Sequence, residues 1–206
     1  GTKISKPENL PESYSFDWSY KIKVTNSGNS ENEITFDYKL TNESNYFGYI
    51  MPESPEMFSV VDSDNQAIVS YMEEEGNPYA MSYSYPVSEV SENAYIPGAA
   101  QNVTITELDE KSFLGYTAKG YEIDTPQSTM IVYLTSEAEV NFSGFAGLPG
   151  QGIPQAFINN IDDVESTLML YMKFTDKSNS ENAMEMVCIS LEKEPFTKNN
   201  ADYNFL

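Results

Sequence analysis

The chain has no histidine, no arginine and a single cysteine among its 206 residues. Without histidine, Ser-His-acid and Cys-His catalytic arrangements are excluded within the chain, as are His-ligated zinc and iron sites. One cysteine rules out an internal disulfide, thiolate-bound zinc and an iron–sulfur cluster. Without arginine, a phosphoryl-transfer site loses its best bidentate donor. No P-loop or dinucleotide glycine motif is present; "GFAGLPGQG" (144–152) is glycine-rich but fits no strand–helix pattern and reads as a loop. No run approaches the roughly 18 consecutive apolar residues of a membrane-spanning helix. Positive charge is scarce: 11 lysines stand against 32 acidic residues, for a net charge of −21. Such a chain repels nucleic acid and anionic lipid heads and disfavours acidic ligands, so nucleic acid is not a partner. The acidic excess itself reads as a solvated surface.

What is present is aromatic. Phe, Trp and Tyr make up 13% of the chain, with 15 tyrosines, a composition suited to half-buried pleated sheet. From Tyr14 the alternation is strict, with Tyr14, Phe16, Trp18, Tyr20, Ile22 and Val24 on one expected face. After "NSGNSEN", Ile34, Phe36, Tyr38 and Leu40 continue it in a second strand. "YFGYIM" is a third strand, and "MFSVVDSDNQAIVSYM" a hairpin about a turn-forming Asp-Ser-Asp-Asn. Residues 73–101 read as a long surface excursion rich in Pro, Gly, Ser and Tyr. Strands return at "VTITELD", "SFLGYTAKGYEI" and "STMIVYLT", and the chain ends in the hairpin "STLMLYMKFTD" to "AMEMVCISLEKEP". Ser136 and Glu139 fit a capping box and predict a short helix over 136–143; Pro154 predicts another over 154–162, with Phe157, Ile158 and Ile161 on one side. About nine strands and two short helices result, without repeats.

In "SFLGYTAKGYEI" the apolar phase flips across Lys119–Gly120, which predicts a β-bulge and a bend there. Gly115 is expected to let a neighbouring ring lie on bare backbone. The fold class expected is mainly β: a curved antiparallel sheet forming an open or half barrel, with a β-sandwich as the alternative. Residues 1–13 read as a flexible linker and 14–206 as a single β domain. Gly1 and the polar lead-in look like a trimmed N-terminus from which a signal peptide has been removed, which implies an extracytoplasmic protein.

The remaining chemistry is carboxylate chemistry. Asp62 with Asp64, Asp162 with Asp163 and Glu73–Glu75 are adjacent in turns, whereas a glycosidase pair comes from separate strands. They read as turn and surface acids. Asp62, Asp64 and Asn65 place oxygens in a calcium-like run but lack the glycine and distal glutamate of an EF-hand. Cys188 lies in a strand pattern with no basic neighbour and reads as a buried small hydrophobe. The sequons at Asn42, Asn102 and Asn141 are no more than so Asn- and Ser-rich a chain produces by chance. No catalytic residue, metal or cofactor is expected; a carboxylate-dependent hydrolase is the enzymatic alternative. The candidate ligand-binding residues are Trp18, Tyr20, Phe36, Tyr38, Tyr116 and Met130, an aromatic wall on the concave side of a coiled sheet, suited to an apolar or lipid-like molecule. Tyr79, Tyr83 and Tyr85 in "NPYAMSYSYPV" (77–87) are the candidate protein-binding anchors. A monomer is expected.

The aromatic strand "YSFDWSYKIKV", the "YFG" segment, the hairpin "MFSVVDSDNQAIVSYM", the centre "KSFLGYTAKGYEI" and the strand "TMIVYLT" resemble an uncharacterised family of secreted or lipid-anchored Gram-negative bacterial proteins. The resemblance covers roughly 14–145 and is most specific in "LGYTAKGYEI". The layout also resembles the lipoprotein-carrier fold of LolA and LolB, without those carriers' amphipathic N-terminal helix. It implies a coiled antiparallel sheet with helices on its concave side, and a periplasmic or outer-membrane-anchored location.

Overall fold

A computed structural model describes residues 9–27, 33–84, 102–142 and 161–206. Its strands are β1 (Ser13–Asn26), β2 (Glu33–Leu40), β3 (Tyr46–Met51), β4 (Ser54–Asp62), β5 (Ala67–Glu74), β6 (Asn77–Ser84), β7 (Thr104–Phe113), β8 (Tyr116–Asp124), β9 (Ser128–Thr135), β10 (Leu168–Asp176), β11 (Ala183–Asn199) and β12 (Asn204–Phe205). They join in the order β12-β6-β5-β4-β3-β2-β1-β11-β10-β9-β8-β7. The order is open and mainly antiparallel, the mainly β antiparallel sheet expected, and not a two-sheet sandwich. The described residues fall into two compact units, one within 1–21, 36–87 and 191–206 and the other within 22–35 and 88–190.

In the first unit, β3 to β6 form a meander whose register fixes its two faces. Phe58 pairs with Tyr71, Val60 with Val69 and Tyr71 with Ala80, all buried on the core face. Tyr14 and Phe16 join them, with Tyr46, Ile50, Phe196, Tyr203 and Phe205 packed around the rim. The rings meet edge to face, Phe16 at 5.7 Å from Phe58 and Phe58 at 5.0 Å from Phe196, the arrangement that ring quadrupoles favour. The C-terminal segment closes this core. β11 borders β1, turns through the 3-10 segment Asn200–Asp202, and continues as β12 beside β6. Asn200 fastens the turn by donating to the Pro11 carbonyl at 2.7 Å and accepting from the Tyr71 hydroxyl.

The strict alternation of β1 conceals a change of face. Phe16 contacts Phe58 and Tyr46 on the core face. Ser19 donates to Asp37 at 2.9 Å and Asp17 accepts from Thr41 at 3.0 Å; Asp37 is the partner of Ile50, so it also points to the core face. Phe16 and its neighbour Asp17 therefore face the same way. Tyr14 and Phe16 consequently lie opposite Tyr20, which packs on Tyr38 at 6.1 Å. The expectation that all the apolar residues of β1 share one face fails at this point. An extended strand that switches a hydrophobic side chain for a polar one on the same face must slip by one residue.

In the second unit, Met130 pairs with Ile123, Val132 with Met172, and Met172 with Met186, giving a buried aliphatic and thioether face. On the other side Phe113, Tyr133 and Tyr171 cluster with centroids 5.4–6.0 Å apart, Phe113 stacked on Tyr171, and the Lys111 ammonium lies 5.1 Å from the Tyr133 ring.

Three expectations need correction, and a fourth lies largely outside the described residues. Residues 73–84 are not part of an excursion: β6 pairs with β5 across a tight turn at Glu75 and Gly76, whose φ angles are 53° and 79°; 85–101 lie outside the described residues. The segment 136–142 is not helical. Thr135 Oγ1 accepts the Glu137 N–H at 3.1 Å, and the segment buries Val140 and bridges Phe142 to Leu168, so packing overrides the capping signal. Of the helix expected over 154–162, all but Ile161 and Asp162 lie outside the described residues, and these two form a bend and turn. The glycines of "SFLGYTAKGYEI" exchange roles. Leu114 and Gly115, with φ of 51° and 84°, make the two-residue turn joining β7 to β8, the primed geometry that suits a twisted hairpin. Gly120 is the bare-backbone position, where an added Cβ would sit 2.5 Å from the Tyr133 ring. The bulge is at this level but in β7, where Asp109 and Glu110 together oppose Lys119.

Gly115→Asn should therefore be nearly neutral in urea unfolding, because Asn accepts left-handed backbone. Gly120→Ala should cost about 1–3 kcal/mol by overpacking against Tyr133. The reverse order would contradict this assignment.

Candidate functional site

The sheet face opposite the aromatic core of the first unit is also apolar. Its residues come from the alternate positions of the same strands. Tyr38, Tyr49, Ser59, Ser70 and Met81 form one continuous cross-strand row. Phe47, Val61, Ile68 and Tyr83 form the next. Tyr38 sits among rings, with Phe36, Phe47 and Tyr49 at 6.2, 6.2 and 6.5 Å. Ser59 and Ser70 satisfy one another at 2.9 Å in mid-row. Exposure rises along the rows: Tyr20 and Tyr38 are buried, Phe47, Tyr49, Val61 and Ile68 are half-buried, and Met81 and Tyr83 are 43% and 39% exposed. Burial pushes the Tyr38 and Tyr83 hydroxyls up, with Tyr49 adding to both shifts, so these two hydroxyls stay protonated at neutral pH.

Four of the six predicted ligand residues, Trp18, Tyr20, Phe36 and Tyr38, meet on this face, Trp18 by strand alternation with Tyr20. The other two belong to the second unit and lie on opposite sides of its sheet. Tyr116 is half-buried on the Gly120–Tyr133 side of β8, while Met130 is 5% exposed on the opposite side, among Ile123 and its neighbours. β8 keeps regular register with β9, so residues of opposite parity cannot share a wall. The sequence reading missed Phe47, Tyr49 and Met81 and set Tyr83 apart as a protein-binding anchor; the cross-strand register that brings them to the face of Tyr38 was the absent information. Tyr79 and Tyr83, the protein-binding candidates, lie on this same face by alternation; Tyr85–Val87 lie outside the described residues.

Polar clusters elsewhere tie strands together. Asp62 is 1% exposed and accepts from Tyr14 Oη (2.8 Å), Asn65 N (3.1 Å) and Asn65 Nδ2 (2.7 Å). Asp64 accepts from Asn45 Nδ2 at 2.9 Å. Both carboxylates of the calcium-like run are thus engaged by donors, and Asp62 anchors β1 to the β4–β5 turn. Lys39, 5% exposed, pairs with Asp37 and Glu194, each at 3.5 Å, and lies 5.7 Å from the Phe196 ring. This network was not anticipated, because Lys39 alternates with apolar residues like any solvent-facing lysine. Its amine is committed to two carboxylates, so it links β2 to β11. Cys188 is buried, and burial pushes its thiol up to about 12.

No protein-family model and no curated protein sequence matches the chain. Solved structures resemble it at low identity. PNGF-II aligns at 11% identity over 92% of this chain and 30% of its own, with a TM-score of 0.44. MucB in complex with MucA(peri) aligns at 8% identity over 87% of this chain and 50% of its own, with a TM-score of 0.46. A LolA superfamily protein from Nitrosomonas europaea aligns at 8% identity over 90% of this chain and 88% of its own, with a TM-score of 0.31. The chain thus spans about a third of PNGF-II and half of the MucB chain.

A thiol held protonated and covered does not act as a nucleophile. Cys188 should resist iodoacetamide at pH 8 in the native protein and be alkylated fully in urea; rapid native labelling would contradict its burial.

Proposed function

We propose that this is a non-enzymatic extracytoplasmic binding protein that takes an apolar or lipid-like ligand on the aromatic face running from Trp18 and Tyr38 to Met81 and Tyr83. The observation that carries the reading is the pairing of two apolar faces on one sheet. The core face is covered by the protein's own C-terminal segment. The other face keeps large apolar side chains partly exposed in register across β3 to β6. Contiguous exposed apolar surface marks binding sites for ligands or partners. Tyrosine hydroxyls among the rings supply the few orienting polar groups that such sites use. Periplasmic residence, by anchoring or secretion, and a monomeric state complete the proposal.

A second reading uses the same surface. Met81 and Tyr83 are the exposed end of the face, and a protein partner seated on β6 would cover the same side chains.

The test is binding of N-phenyl-1-naphthylamine, an uncharged apolar probe that fluoresces on leaving water, with mass spectrometry of lipids extracted from the purified protein. Saturable probe binding is expected. Replacing Met81 and Tyr83 together by serine should weaken it about tenfold, from the apolar area removed, without lowering the urea midpoint. No probe binding and no co-purified lipid would leave the protein-interaction reading.

A further inference from the structure

Resting on that reading of the face, we infer that the head of its ligand is positively charged, so that the face selects a cationic amphiphile over an anionic one. Charge is unevenly distributed along the chain. Between Leu40 and Glu110 there is no lysine, arginine or histidine, while Glu53, Glu56, Asp62, Asp64 and Glu73–Glu75 all fall within the span that builds β3 to β6. The strands carrying the exposed part of the face therefore offer no cation to a carboxylate or phosphate. Lys39, at the end of this span, turns to the core face and is held by Asp37 and Glu194. An anionic head brought against these rings would lose water without gaining a counter-charge, which is costly.

A cation meets the opposite conditions. The faces of Tyr, Trp and Phe rings carry negative potential and attract ammonium groups. At the β5–β6 end of the face, Glu73, Glu74 and Glu75 are exposed, and Glu74 shares the alternation of Ile68, Ser70 and Met72. The protein itself shows that its aromatic surfaces hold an ammonium. On the core side, Lys198 Nζ lies 5.3–6.0 Å from the centroids of Phe58, Tyr71, Phe196 and Tyr203 and donates to Tyr203 Oη at 2.8 Å. The net charge of −21 adds a long-range attraction of the same sign.

Isothermal titration of the full chain with dodecyltrimethylammonium and with dodecanoate, both below their micelle concentrations, tests this. The ammonium probe should bind about tenfold more tightly at low salt, and the order should persist in about 0.5 M NaCl, where long-range attraction is screened. Two variants separate the face from the overall charge. Met81→Lys places a cation on the face and should abolish or invert the preference. Ile189→Lys, at a 42% exposed position in the second unit, makes the same change in net charge and should leave it intact. Equal effects of the two substitutions, or dodecanoate binding as tightly as the ammonium and weakened by Met81→Ser, would overturn the charge assignment while leaving a ligand face. Binding of neither probe would overturn the ligand face as well.

Discussion

A β-sheet has two faces, and in the first unit the sequence makes both of them apolar. That constraint organises what is built on β3 to β6. There one face carries Phe58, Val60, Val69 and Tyr71 and the other Phe47, Tyr49, Val61, Ile68 and Met81, where a half-wet sheet would alternate apolar with polar. One face is closed by the chain itself. Phe196, Tyr203 and Phe205 pack on Phe58 and Tyr71, and Lys198 caps the rings with its ammonium. The C-terminal segment is therefore an integral part of this core. What remains is the opposite face, whose apolar rows have cross-strand partners but keep Met81 and Tyr83 partly in water.

The slip in β1 follows from the same constraint. Tyr14 and Phe16 are needed in the core with Asp62, Tyr46 and Phe58, while Trp18 and Tyr20 are needed opposite, beside Phe36 and Tyr38. A regular strand could serve only one of these demands. By turning Phe16 and Asp17 to the same side, the chain serves both, and Asp17 and Ser19 become cross-strand hydrogen-bond partners for Thr41 and Asp37. Asp62 fixes the register of this end, because its buried carboxylate requires the Tyr14 hydroxyl as a donor.

Much of the sheet was legible because period-2 patterning and turn residues are local signals. The hairpins at 57–72 and 168–194 stand where their apolar runs and polar turns place them. What escaped depends on information that local pattern lacks. Leu114–Gly115 is a two-residue turn in which a leucine takes positive φ, a conformation leucine rarely signals. Glu75–Gly76 was hidden by the Pro and Tyr that follow it, although those residues form β6. The slip at Phe16 is invisible to alternation, since Tyr, Phe and Trp are equally apolar on either face. The candidate site divides the same way. Trp18, Tyr20, Phe36 and Tyr38 were found through their own strands, whereas Tyr49, Met81 and Tyr83 join them only through long-range register, and Tyr116 and Met130 belong to the other unit.

The central claim is that ligand enters on the Tyr38–Tyr83 face. The nine methionines report on it directly, because Met72 and Met81 lie on β5 and β6 of this face while Met130, Met172 and Met186 are buried in the second unit. With methyl-13C-methionine, NMR titration with N-phenyl-1-naphthylamine resolves each site, and ring currents from a bound aromatic probe shift only nearby methyl groups. The account predicts that Met72 and Met81 move together and saturate, with Met130, Met172 and Met186 unchanged. Movement of the second-unit methionines with Met72 and Met81 still would contradict it.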